Sequence, residues 1–267
     1  QPIKLVAVRR ILDQLDISGF FQMLKDPTYC YKFYWLEALV RLVLDGVEEL
    51  TLGQIADEMI ANAWYSVVEF HIHLSGTMNG EGRDALERAV CALQKVSLLV
   101  NRASKIDIKK SLIMHDDAIR PFKLQLVKMV PYRALAGFFG KAGPNKRPPW
   151  DAPRKMVEFT QWYSGNVAAL PYVFGAGSGL ERKVLVYPGW AEMIRNHAVS
   201  ILGWIQFEKL RWLQNNSIDV PGLVYKLESP DEGIRKLTCV RNLWDAVLEA
   251  CQIIGVFRDG FINRETY

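Results

Sequence analysis

Residues 51–75 read TLGQIADEMIANAWYSVVEFHIHLS, and this stretch decides the fold. Thr51 and Gln54 stand three apart, the spacing of a capping box. In that motif a hydroxyl accepts from the third helical amide while the longer side chain reaches back to the cap. The box predicts a helix through IADEMIANAWYSVVEF. The same window gathers Trp64, Tyr65, Glu69 and two of the four histidines, His71 and His73. An acid, a base or a metal ligand supplied by the chain is expected here first. On a helix, positions two apart point about 200° away from each other, so His71 and His73 share a face only in an extended segment. A helical zinc pair takes the i, i+4 spacing of HExxH, which is absent. Glu69 and His73 have that spacing and form a candidate helical pair. The competing reading is a packed helix whose polar end carries hydrogen-bonding histidines.

Helical periodicity continues on both sides. Leu5, Val8, Leu12 and Leu15 fall on one face of a first helix, and YKFYWLEALVRLVLDG reads as a second, closed by Gly46. A fourth runs from about Arg83 to Val100 with Leu86, Val90 and Leu93 inward, and Ser104 with Asp107 caps a fifth. Pro121 interrupts the chain, Pro131 opens a short helix over YRALAGFF, and Pro153 to Ser164 reads as helical. LPYVF and KVLVY, separated by Gly175, Gly177 and Gly179, predict a small hairpin. Pro188 opens the longest helix, to Asn215 and Asn216, placing Trp190, Trp204 and Trp212 in the core, with Trp244 in a last helix. A short extended run, LVYKL, lies between these two. The expected fold is mainly α, an irregular multi-helix bundle with a minor β-hairpin. Its parts are a helical region over 1–140, a basic loop, short helix and hairpin over 141–187, and a helical region over 188–267.

The chain is half hydrophobic, enough for a sizeable core. Cys30, Cys91, Cys239 and Cys251 lie far apart without CxxC spacing, which suits buried thiols of a reducing cytoplasm. No apolar run reaches the roughly 18 residues a bilayer span needs, so no membrane partner is expected. The net charge is +4, and one loop accounts for all of it. Between Gly140 and Lys155 stand Lys141, Lys146, Arg147, Arg154 and Lys155 against a single acid, Asp151. Clustered cations are what phosphate affinity needs, although a solvated loop has the same composition. Trp150 sits among them, placed either to stack on a base or to pin the loop.

The other candidate motifs are weaker. His115 beside Asp116 and Asp117 suits a metal or the polar end of a helix. Arg195-Asn196-His197 lacks the Arg–His spacing of the all-α ribonucleases. Gly175 to Gly179 precedes a strand-like run and so reads as a turn, not a dinucleotide loop. There is no GxxxxGK[ST] and no GxSxG.

Four stretches, AWYSVVEFHIHLS (63–75), VPYRALAGFFG (130–140), ILGWIQFEKLRWLQNN (201–216) with VPGLVYKL (220–227), and VRNLWDAVL (240–248), resemble the N-terminal helical region of a bacterial HNH-endonuclease-domain family. In that family the helical region precedes a nuclease module with a motif like Asp-His-Phe-Val/Ile-Pro-Trp-Ser. One histidine there activates water, and the other ligands hold a divalent cation. No Asp-His-x-x-Pro-Trp occurs in this chain, so no catalytic residue or metal ligand carries over. The resemblance implies a cytoplasmic, non-catalytic part of an HNH-type DNA endonuclease of a restriction or phage-defence system, needing no cofactor of its own. The divalent cation would belong to a module beyond Tyr267. The expected partner is DNA, held by Lys141, Lys146, Arg147, Trp150, Arg154 and Lys155. The rival expectation is an assembly module that binds a second copy or a partner protein, and a third is an enzyme using Glu69, His71 or His73.

Overall fold

In a computed structural model, residues 15–25, 27, 29–47, 49–75, 82–142, 146–150 and 152–216 are described. They belong to a unit reaching Leu227; residues from Glu228 form a second unit that lies outside the described set. The expected helices over Leu5 to Leu12 and around Trp244, and the run LVYKL, also lie outside it.

Local cap chemistry sets most helix starts. The chain builds α1 (Ile17–Gln22), α2 (Tyr31–Leu44), strand β1 (Glu49–Thr51) and α3 (Leu52–Val68). Then follow α4 (Ala85–Val96), α5 (Lys105–Met114) and α6 (Asp116–Ala134). Thr51 closes the expected capping box with Gln54. Ser104 caps α5, and Asp84 caps α4 by accepting from the amide of Glu87 at 2.7 Å. Gly46, at φ 85°, ends α2 as expected, since a left-handed residue after a helix is cheapest as glycine.

Beyond a 3-10 segment (Leu135–Ala142) come α7 (Pro153–Asn166), β2 (Tyr172–Phe174), β3 (Lys183–Val186), α8 (Pro188–Asn196) and α9 (Ala198–Asn216). The described residues are thus mainly α, and the hairpin forms with Tyr172 opposite Val186 and Phe174 opposite Val184. A third strand joins it. β1 pairs antiparallel with β3, Glu49 opposite Leu185 and Thr51 opposite Lys183, giving the order β1-β3-β2. Three residues are too few to show a period-two pattern, so β1 is set by its partner strand.

Two helical expectations are corrected. Pro121 does not interrupt and Pro131 does not open a helix; both lie inside α6. Each removes a backbone hydrogen bond. The buried face of Ile119, Leu126, Val127 and Val130 offsets that loss. Pro131 is also tied in place: buried Trp35 Nε1 donates to the Tyr172 hydroxyl at 2.9 Å, which donates to the Pro131 carbonyl at 2.6 Å. The long helix after Pro188 breaks at His197 into α8 and α9. Its halves are fastened to different parts of the fold. Trp190 on α8 stacks on Phe20 and donates to the Ala169 carbonyl, while Trp212 on α9 donates to that of Pro27.

The core is aromatic, with Trp35, Trp64, Trp190, Tyr34, Phe33 and Phe138 among its fully buried side chains. Trp204 and Trp212 pack against it half-buried. Cys30 is buried and Cys91 half-buried. One buried ion pair crosses the core: Lys209 Nζ on α9 lies 2.9 Å from the carboxylate of Glu37 on α2 and 4.6 Å from the Tyr34 ring.

Candidate functional site

The basic loop is less uniform in space than in sequence. Lys141 is bound to Asp16 Oδ1 at 2.8 Å, so its charge is answered by the cap of α1. Lys146 lies over the Trp162 ring of α7 at 4.5 Å from its centre. Trp150 is half-buried against the core, its ring 5.8 Å from that of Phe139. That contact makes Trp150 one edge of a cluster that continues through Phe159 and Tyr163.

Arg147, Arg154 and Lys155 remain. All three are exposed, and none has an ion-pair partner among the described residues. Arg154 and Lys155 occupy the first turn of α7, whose cap residue Ala152 offers no side-chain hydrogen bond and whose first turn holds no acid. This reverses the usual charge order. A helix N-terminus carries a positive partial charge and unsatisfied amides, so cations there repel it and an anion relieves both. Pro153 at the first helical position removes one of those amides.

The histidine segment departs from its helical expectation. α3 stops at Val68, and Glu69 is its C-cap. The i, i+4 relation between Glu69 and His73 therefore lapses. Glu69 accepts from Arg102 at 2.9 Å, while His73 Nδ1 meets Glu87 Oε1 at 3.0 Å. His71, three residues past the helix end, takes a left-handed φ of 53°; His71 and His73 are exposed while Ile72 and Leu74 between and after them are buried. The alternation H-I-H-L was the signal for this, being a polar–apolar period of two.

That segment ends on a buried acid pair the sequence reading missed. Glu87 takes His73, Arg83 Nε at 3.3 Å and the Leu74 amide at 3.2 Å. One turn before it Asp84 is buried, with Oδ2 lacking a hydrogen-bond partner among the described residues. Burial, then the Glu87 charge, pushes the Asp84 carboxyl up to about 6, against its two backbone donors and Arg88. The D-x-x-E spacing of Asp84 and Glu87 marked this cap in the sequence.

Elsewhere carboxylates meet lysines. Glu58, buried on α3, takes both Lys105 and Lys109 of α5. Buried Lys123 sits between Asp57 and Asp116, and although burial opposes its charge the two carboxylates outweigh that and raise its pKa. Asp116 is thereby engaged, and His115 is the junction of α5 and α6. Among the described residues no group of three or more His, Cys, Asp or Glu is placed to share a metal ion. Gly175 to Gly179 is the expected turn. Gly177 has φ 97°, and a Cβ there would stand 2.5 Å from the Glu181 carbonyl oxygen. No described helix is long and apolar enough to cross a membrane. In comparisons with family models, curated proteins and solved structures, nothing matches this chain.

Proposed function

We propose that this helical chain holds a nucleic-acid backbone against the start of α7, as the non-catalytic positioning part of an HNH-type DNA endonuclease whose nuclease chemistry lies beyond Tyr267. One observation carries the binding reading: Arg154 and Lys155 occupy an uncapped, acid-free helix start, with Arg147 exposed upstream. Phosphate oxygens there would satisfy backbone amides and guanidinium together. The HNH context rests on the quoted sequence stretches alone.

This reading places the phosphate contacts on three of the six residues. Lys141 serves Asp16, Lys146 covers Trp162, and Trp150 is packed. Three phosphate contacts give a salt slope of about −2.7 on duplex DNA, so affinity falls about 40-fold between roughly 50 and 200 mM salt. The test is an anisotropy titration of a labelled duplex with the whole chain across that range. Replacing Arg147, Arg154 and Lys155 together with alanine flattens the slope and abolishes most binding, whereas Lys141→Ala changes little. Binding indifferent to salt, or unchanged in the triple variant, refutes the proposal.

A further inference from the structure

α5 has a second apolar side that nothing described covers. Ile108, Ser111 and Leu112 turn to the core, while Ile106, Ile113 and Met114 are 66%, 75% and 78% exposed. At 3.6 residues per turn Ile106, Lys110, Ile113 and Met114 fall within an arc of about 100°. A helix apolar on opposite sides is ordinarily buried on both. The loop entering α5 extends the pattern, with Leu98 fully exposed and Val100 68% exposed. This loop is well anchored. Trp64 Nε1 donates to the Asn101 carbonyl at 3.0 Å, Arg102 pairs with Glu69 at 2.9 Å, and Ser104 caps the helix. Its apolar side chains are therefore held outward from a fixed backbone.

The charges indicate what fits this surface. From Lys95 to Lys110 there are five cations, Lys95, Arg102, Lys105, Lys109 and Lys110, and one acid, Asp107. Glu58 answers Lys105 and Lys109 with a single carboxylate, and Glu69 answers Arg102. Lys95 and Lys110 are exposed with no ion-pair partner among the described residues. The surface keeps a positive excess, and Lys110 lies inside the apolar arc. A second copy suits it poorly, because two α5 helices paired about their midpoints set Lys109 and Lys110 against their own counterparts.

We propose that the outer face of α5, with the Leu98–Val100 loop, docks an amphipathic helix of a partner protein whose apolar stripe is flanked by carboxylates. Ile106, Ile113 and Met114 supply the apolar contact, and Lys110 within the arc selects the acidic flank.

The experiment titrates the whole chain into a labelled helical peptide of about 18 residues, leucine at i, i+3, i+4 and i+7 and glutamate elsewhere. The same peptide with lysine for glutamate is the control. The glutamate peptide binds saturably, at least about tenfold tighter than the control. Ile113→Ser weakens it about tenfold or more with an unchanged circular dichroism spectrum. Should that variant misfold, Lys110→Glu provides the second arm, lowering affinity for the glutamate peptide and raising it for the lysine peptide. Several results overturn the proposal: no saturable binding, equal binding of both peptides, or indifference to Lys110→Glu. So do dimerisation of the chain that Ile113→Ser abolishes, and a preference for phosphatidylserine vesicles over the peptide.

Discussion

Asp84 should make the protein more stable when its charge is removed, and by an amount that depends on pH. Its carboxyl is 8% exposed, caps α4 through Oδ1 and leaves Oδ2 without a partner among the described residues. Burial is the first cause of a pKa raised from 3.8 to about 6, and the neighbouring Glu87 charge adds to it. The folded carboxyl holds its proton to higher pH than the unfolded one. The stability it contributes is full below about pH 4 and is lost as the pH rises through about 6. Integrated over that interval the ionised group costs the fold on the order of 3 kcal/mol at pH 8. Asp84→Asn keeps the cap, since asparagine caps as well as aspartate, and removes the charge. Its buried amide nitrogen, standing where Oδ2 lacked a partner, returns about 1 kcal/mol of that gain. The variant should therefore be about 2 kcal/mol more stable than the parent at pH 8, and no more stable at pH 4. Urea unfolding followed by tryptophan fluorescence at several pH values measures both. A variant less stable than the parent at pH 8, or an offset that does not change with pH, refutes the argument.

Lys209→Met should cost about 3 kcal/mol, because it leaves the Glu37 carboxylate buried with only the half-exposed Arg41 beside it. Adding Glu37→Gln should recover most of that loss, which a double-mutant cycle in urea reads directly. Trp150→Ala should destabilise the fold by about 2 kcal/mol, below the range for a fully buried tryptophan, yet leave DNA affinity of the folded variant unchanged. A loss of affinity worth about 1–3 kcal/mol would instead show that Trp150 stacks on a base. Gly137→Ala sets a Cβ 2.6 Å from the Gln22 carbonyl carbon, a backbone contact that cannot swing away. It should cost about 2 kcal/mol or more in thermal unfolding.

Helix starts were legible because the chemistry that makes them lies within four residues. Thr51 with Gln54, Ser104 with Asp107, Pro153 and Pro188 all mark observed starts. Helix ends were legible at Gly46 and Asn216 but not at Val68, because an end without such a residue depends on what the last turn meets. α3 stops at Val68, where Glu69 finds Arg102 from the far side of α4. Pro121 was read as a break and Pro131 as a helix start because a proline's cost is local, while the packing of the buried face that outweighs it comes from other elements.

The candidate site divides in the same way. Sequence alone located the charge surplus and the odd aromatic within it, since composition needs no neighbours. Which cations have a partner was decided by Asp16, 125 positions before Lys141, and by the ring of Trp162 beneath Lys146. The histidine stretch lost its catalytic pairing for the same reason: i, i+4 spacing has meaning only while the helix continues, and tertiary contacts ended it. The sequence by itself determined helical content, the caps, the hairpin and the location of the excess charge, all set by interactions between near neighbours along the chain. Only the tertiary structure decided the third strand, the buried Glu37–Lys209 pair, the raised Asp84 carboxyl and the face of α5 left uncovered by the described residues. Each of these depends on burial and on partners distant in sequence, and the free energy of a charge or an apolar side chain is fixed by what surrounds it.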